Sequence, residues 1–163
     1  TPLHDFCGKC RACIDICPTQ ALDDQRVLDA NKCLAFWNIE SKKIPPPEIR
    51  EKMEDWFFGC DLCQTVCPWN MKIFKDRKDF QQESGADETL VEELRYILQS
   101  SNKKLLRSLK ETPLSRAGGR GLKRNALIVI GNKKLMELKT DVMKLVEHPQ
   151  LGELAQWTLS KFV

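Results

Sequence analysis

Apolar positions divide the chain near residue 88 into two kinds of pattern. Beyond it they recur at three and four residues, as in Leu90, Leu94, Ile97 and Leu98 and again in Leu105, Leu106 and Leu109, which predicts amphipathic helices. Leu122 to Ile130, Leu135 to Val146 and Leu151 to Phe162 extend the helical reading. Thr112-Pro113, Gly118-Gly119-Arg120-Gly121, Gly131-Asn132 and His148-Pro149 punctuate it, giving about five helices joined by short turns. Residues 121–132 and 151–163 are weakly alike, as helical repeats of the HEAT type would be. Before residue 88 the apolar runs are shorter. Ala21-Leu22 and Arg26-Val27-Leu28 flank Asp23-Asp24-Gln25, the pattern of two very short strands around a polar turn. A helix is predicted from Pro47 to Phe58, with Ile49, Met53, Trp56 and Phe57 on one face and Gly59 as its stop.

Composition adds bounds. An apolar fraction of 42% in 163 residues can build a packed core. With no run of 18 apolar residues and no charged-then-apolar leader, the expectation is a cytoplasmic chain without a membrane partner. The chain starts at Thr1, six residues before its first cysteine, which reads as part of a longer protein. Its net charge of +3 is uneven, because residues 103–144 carry twelve Lys or Arg against three acids. The rest of the chain is correspondingly acidic, with a balance of −6.

All eight cysteines fall between Cys7 and Cys67. Cys7, Cys10, Cys13 and Cys17-Pro18 form the C-x2-C-x2-C-x3-C-P run of two-cluster ferredoxins. Three thiolates at two-residue spacing can wrap one face of a [4Fe-4S] cubane, while the fourth serves the neighbouring cubane. Cys60, Cys63 and Cys67-Pro68 repeat the last three positions, but Phe57 stands where the first cysteine would be. Cys33 is the one cysteine left to fill that place. By the crossed logic of the motif, Cys7, Cys10, Cys13 and Cys67 hold one cluster and Cys17, Cys33, Cys60 and Cys63 the other.

Zinc ribbons do not need a cysteine triple followed by Cys-Pro, and a disulfide framework would need an oxidising compartment. His4 and His148 are read as packing or surface residues, since the thiolate count is already complete. Trp37, Trp56, Trp69, Phe36, Phe57 and Phe58 crowd this half, where they pack a small core or keep clusters dry.

The order of cysteines, with CIDICPTQAL from Cys13, LDANKC from Leu28, CLAFWNIES from Cys33, GCDLCQTVCPWN from Gly59 and TPLSRAGGRGLKRNALIVIGN from Thr112, resembles the epoxyqueuosine reductases. The resemblance implies a small α+β ferredoxin-like two-cluster domain over residues 1–80, followed by an all-α HEAT-like helical domain over residues 81–163. It implies the electron-relay and tRNA-docking portion of an oxidoreductase of queuosine biosynthesis. In that family cobalamin and two [4Fe-4S] clusters reduce epoxyqueuosine to queuosine in tRNA. Cobalamin would be held mainly by an N-terminal domain absent from these residues, so no catalytic residue carries over and the chain alone is expected to be inactive.

Expected partners are tRNA, a low-potential electron donor and the cobalamin-binding domain, with the chain itself a monomer. Arg116, Arg120, Lys123 and Arg124 lie inside the family-like segment and are the expected tRNA contacts. Lys133, Lys134, Lys139 and Lys144 are read as a solvated face. Two other functions fit the residues: a stand-alone two-cluster ferredoxin with a helical protein-interaction module, and a nucleic-acid scaffold with purely structural clusters.

Overall fold

The computed structural model describes residues 7–75 and 87–163. His4 and the expected domain boundary after residue 80 lie outside the described residues. The cysteine-bearing half contains α1 (Ala12–Asp15), a π-helical turn (Phe36–Glu40), α2 (Pro47–Lys52), α3 (Leu62–Thr65) and α4 (Pro68–Lys75). The second half contains α5 (Asp87–Gln99), α6 (Asn102–Ser108), a 3-10 turn (Pro113–Ala117), α7 (Gly118–Lys133), a second 3-10 turn (Met136–Leu138), α8 (Lys139–Met143) and α9 (Gly152–Ser160).

The two short strands of the α+β expectation shrink to a single antiparallel bridge, Leu22 to Leu28. The turn itself limits them. The Val27 N–H donates to the Asp23 Oδ1 at 2.8 Å, and Arg26 takes a left-handed φ of 60°. Those choices close a tight loop and use a donor that a longer ladder would need. The helix expected from Pro47 to Phe58 ends at Lys52, because Glu54 is also left-handed, with φ of 44°. Its apolar face survives the shortening: Ile49 and Met53 are buried, while Trp56 and Phe57 pack against the core from the following loop.

In the second half α7 is the central element, with Leu122 and every residue from Ala126 to Ile130 buried. A helix apolar on most of its circumference must be covered on several sides, and α5, α6 and α9 pack around it. Gly118, with φ of 74°, turns the chain from the 3-10 turn into α7. A Cβ on Gly119 would stand 2.7 Å from the Asn102 Cα, so only glycine lets the start of α7 meet the start of α6 backbone to backbone. The single helix expected over residues 135–146 is broken into the second 3-10 turn and α8, with Leu138 and Val142 still buried.

The apolar core crosses between the halves. Leu34, Ile49 and Met53 from the cysteine-bearing half join Leu94, Leu98, Leu127, Ile130, Val142 and Leu154 in one buried cluster. Polar contacts reinforce the seam. The Arg50 guanidinium donates to the Pro45 carbonyl at 2.7 Å and to Glu153 Oε1 at 3.2 Å, and it lies 5.6 Å from the Trp157 ring centroid. Among the described residues no helix is long and apolar enough to cross a membrane.

Asp141 ties α8 to α5. Its buried carboxylate accepts from Gln99 Nε2 at 3.0 Å, Lys144 Nζ at 3.1 Å and Arg95 Nε at 3.4 Å. Burial pushes this carboxyl up, but the donors outweigh it and hold it below its ordinary value. A lowered native carboxyl contributes stability above its unfolded pKa, about 4, and loses it as pH falls through the native value. Asp141→Asn is therefore expected to flatten the acid limb of the stability curve, measured as the urea midpoint at about pH 7 and about pH 3. Equal pH dependence in the two proteins would refute this role.

Candidate metal centres

The two cysteine motifs fold alike. In the first, the Cys10 N–H donates to the Cys7 carbonyl at 2.9 Å, α1 carries Cys13, and the Cys17 N–H donates to Ile14 at 3.3 Å. In the second, α3 carries Cys63 and the Cys67 N–H donates to Gln64 at the same 3.3 Å. The residues that open these helices, Arg11 and Asp61, share a backbone conformation, with φ and ψ of −121° and 4° against −110° and 17°. Side chains fasten the first motif to its surroundings. Arg26 Nη2 donates to the Gly8 carbonyl at 3.0 Å, Arg11 pairs with Asp24, and Lys52 Nζ donates to the Pro18 carbonyl at 2.5 Å.

Because α1 and α3 pack together, each motif sends its last cysteine across to the other. One cavity, of about 290 Å³, is lined by Cys7, Cys10, Cys13 and Cys67 with Ala12, Pro68 and Trp69. A second, narrower cavity, about 40 Å³ in the same measure, is lined by Cys17, Cys33, Cys60 and Cys63 among Leu22, Leu28, Leu34 and Leu62. None of the eight described cysteines is in a disulfide. Among the described residues no three His, Cys, Asp or Glu side chains are close enough to share one metal ion. Four sulfurs spread around a cavity suit a group several atoms across better than one tetrahedral ion, which needs sulfurs about 2.3 Å from a common centre.

The two cavities differ in exposure. Cys10 is exposed and Trp69 is 63% exposed, so the first cavity lies at the surface. The second is walled by leucines. There, burial and the neighbouring Cys33, Cys63 and Cys17 push the Cys60 thiol up, and burial with Cys33 and Cys13 pushes Cys63 up. Ionising all four of these crowded thiols together would require a cationic group among them. Cys17 differs: burial raises it, but the Thr19 hydroxyl at 3.5 Å and the Ala21 N–H at 3.2 Å outweigh that and lower it. Phe57, at the motif position without a cysteine, faces the core and lines neither cavity. Of the other aromatics, Trp37 and Trp56 also pack against the core, so packing accounts for them.

A family profile described as a 4Fe-4S double cluster binding domain matches residues 6–70. The epoxyqueuosine reductase of Francisella cf. novicida is 32% identical over 168 residues, an alignment that covers 99% of this chain and 46% of the relative. The solved epoxyqueuosine reductase from Bacillus subtilis superposes with a TM-score of 0.80 at 29% identity, covering 99% of this chain and 44% of that one. The chain belongs to the epoxyqueuosine reductase family. A crystal structure of an epoxyqueuosine reductase with an epoxyqueuosine-modified tRNA-Tyr stem loop superposes with a TM-score of 0.79 at 29% identity, covering 99% of this chain and 43% of that one. The chain thus spans less than half the length of these family members.

Family likeness directs attention to the four basic residues expected to meet tRNA, and the structure separates them. Arg116 is exposed and pairs with Glu40 Oε1 at 2.7 Å. Arg120 Nη2 donates to the Lys42 carbonyl at 3.3 Å, and Lys123 is half-buried, its amine lowered by burial. Arg124 does not fit the expectation. It is 2% exposed, and its guanidinium donates to the carbonyls of Ser41 at 2.5 Å, Trp37 at 2.6 Å and Lys43 at 2.9 Å, which leaves no face for a phosphate.

Beside Arg124 the structure gathers residues that the sequence did not single out. Exposed Lys42 joins Arg120, Asn102, Gln150 and the glycines opening α7 around an open cleft of about 530 Å³. Lys42 and Lys43 could have been found as a basic pair following Ser41. His148 caps a turn, its Nδ1 accepting from the Gln150 N–H at 3.2 Å.

Proposed function

We propose that this chain is the cluster-bearing, tRNA-docking part of an epoxyqueuosine reductase, which reduces epoxyqueuosine to queuosine in cytoplasmic tRNA. The observation that carries the reading is the sorting of eight cysteines into two cavities of four. Two [4Fe-4S] clusters, when bound there, supply one-electron transfer at low potential. Cobalamin, assigned to a segment outside these 163 residues, would supply the reducing metal for C–O cleavage.

The chain's own residues do the rest. Cys7, Cys10, Cys13 and Cys67 hold the outer group beside the exposed Trp69, where another domain or donor can approach. Cys17, Cys33, Cys60 and Cys63 hold the inner one among leucines that lower its contact with water, with the Ala21 N–H on Cys17 stabilising negative charge at sulfur. We read residues 81–163 as a HEAT-like helical domain and residues 1–80 as the cluster domain, welded by the shared core. Lys42, Arg116 and Arg120 offer an electropositive edge beside the start of α7, where a phosphate meets both side-chain charge and helix N–H groups. Lys123 stands beside them as a weaker contact.

Binding of the reconstituted chain to a stem loop bearing the modified base tests the docking role. Affinity is expected to fall steeply with salt, and Lys42→Ala and Arg120→Ala are each expected to reduce the log–log salt slope by about 0.7 to 0.9. Adding a cobalamin-binding domain of the family is expected to restore epoxide reduction, which the chain alone does not perform. Electron delivery to a protein acceptor with no tRNA affinity would replace this reading by that of a stand-alone ferredoxin.

A further inference from the structure

Local turns hold the Cys33 backbone, its N–H donating to the Ala30 carbonyl at 3.1 Å and its carbonyl accepting from the Trp37 N–H at 3.3 Å, but they do not place it relative to Cys60. Within a cysteine motif, a helical turn fixes the spacing of successive ligands, as α1 and α3 do here. Cys33 lies 27 residues before Cys60, outside either motif. Chain connectivity therefore does not bring the two sulfurs to one cavity, and tertiary structure must.

Two buried asparagines bridge the two segments, and a buried arginine supports them. Asn38, fully buried in the π-helical turn that follows Cys33, donates from Nδ2 to the carbonyls of Gly59 at 2.8 Å and Trp56 at 3.2 Å. Its Oδ1 accepts from the Gly59 N–H at 2.9 Å. The asparagine thus grips both backbone groups of the residue before Cys60, where Gly59 turns with φ of 75°. From α7, the fully buried Asn125 donates to the Asn38 carbonyl at 2.7 Å and to the Phe57 carbonyl at 2.9 Å, binding both segments at once. Arg124 orients that amide by donating to its Oδ1 at 3.0 Å and 3.1 Å, and it holds the carbonyls of Trp37, Ser41 and Lys43. Buried polar groups this fully paired fix one geometry and penalise any other.

We infer that Asn38 and Asn125 are positioning residues for the second cluster, a clip by which the helical half sets the Cys33 to Cys60 separation. The inference rests on the two-cluster reading above. It makes assembly of the inner centre depend on α7, while the outer centre draws three of its four ligands from one local motif.

The test compares Asn38→Ser, Asn125→Asp and Thr158→Val after anaerobic reconstitution of the full chain with iron and sulfide. Thr158 is equally buried in the helical half, bonding the Leu127 and Leu154 carbonyls at 2.9 Å, but touches neither cysteine segment. Wild type and Thr158→Val are expected to hold about eight iron atoms per chain, and the two asparagine variants about four. Those variants keep the wild-type helical signal in far-UV circular dichroism, and their reduced EPR spectrum is that of the outer centre alone.

Asparagine variants that retain all the iron with an unchanged spectrum overturn the inference. So do parallel loss of both centres, an equal loss in Thr158→Val, or collapse of the helical signal in Asn38→Ser, which would make the asparagine a folding residue only. A wild-type chain with well under eight iron atoms removes the two-cluster reading itself.

Discussion

Cys33→Ala is expected to halve the iron bound by the reconstituted chain, from about eight atoms to about four, and to leave the outer centre intact. Three thiolates, Cys17, Cys60 and Cys63, would remain around the inner cavity, and a cubane with an open corner is readily lost. The decisive companion is the double variant Cys33→Ala with Phe57→Cys, which regenerates the regular second motif. Spacing alone predicts rescue. The structure predicts none, because Phe57 faces the groove of Leu90, Leu94 and Leu105 between α5 and α6, and Asn125 holds its carbonyl in place. Iron and sulfide analysis of both variants reads the outcome, and recovery of about eight iron atoms in the double variant would refute the assigned geometry.

Arg124→Met is expected to destabilise the fold by about 3 to 5 kcal/mol, against at most about 1 kcal/mol for Arg116→Ala at the surface. Burial of the guanidinium, with Arg120 nearby, lowers its pKa to about 10, so it remains charged at neutral pH. Truncation strips a buried guanidinium's donors from the carbonyls of Trp37, Ser41 and Lys43. Arg124→Lys is expected to rescue little, since an ammonium cannot reach three carbonyls arranged around a planar fork. Urea unfolding monitored by fluorescence measures the loss. The shared core predicts that both halves unfold in one transition. A stable Arg124→Met chain with weakened tRNA binding would instead restore Arg124 to the RNA interface.

These two residues mark what the sequence could and could not show. The grouping of the cysteines was legible because it is local geometry: the C-x2-C-x2-C triple and Cys-Pro define a short helix that sends its last cysteine across, and both motifs fold that way. Helical periodicity likewise located α5, α6, α7 and α9. The strands were over-read because alternation cannot reveal that Asp23 caps the Val27 N–H and closes the turn early. Pro47 to Phe58 was over-read because the left-handed turn at Glu54 is imposed by tertiary packing on a residue with no sequence mark for it.

The burial of Arg124 was hidden for a related reason. Its carbonyl partners lie 81 to 87 residues away, and nothing in a basic run distinguishes a solvated arginine from a buried one. One signal was available. Lys123, Arg124 and Asn125 lie between Leu122 and the apolar run Ala126 to Ile130, and polar groups inside a core-facing segment have partners to find.

Iron and sulfide quantification of the anaerobically reconstituted wild-type chain, with EPR after dithionite reduction, tests the account most directly. Two cubanes predict about eight irons and about eight sulfides per chain, with two reducible centres. One centre, or zinc bound in place of iron, would contradict it.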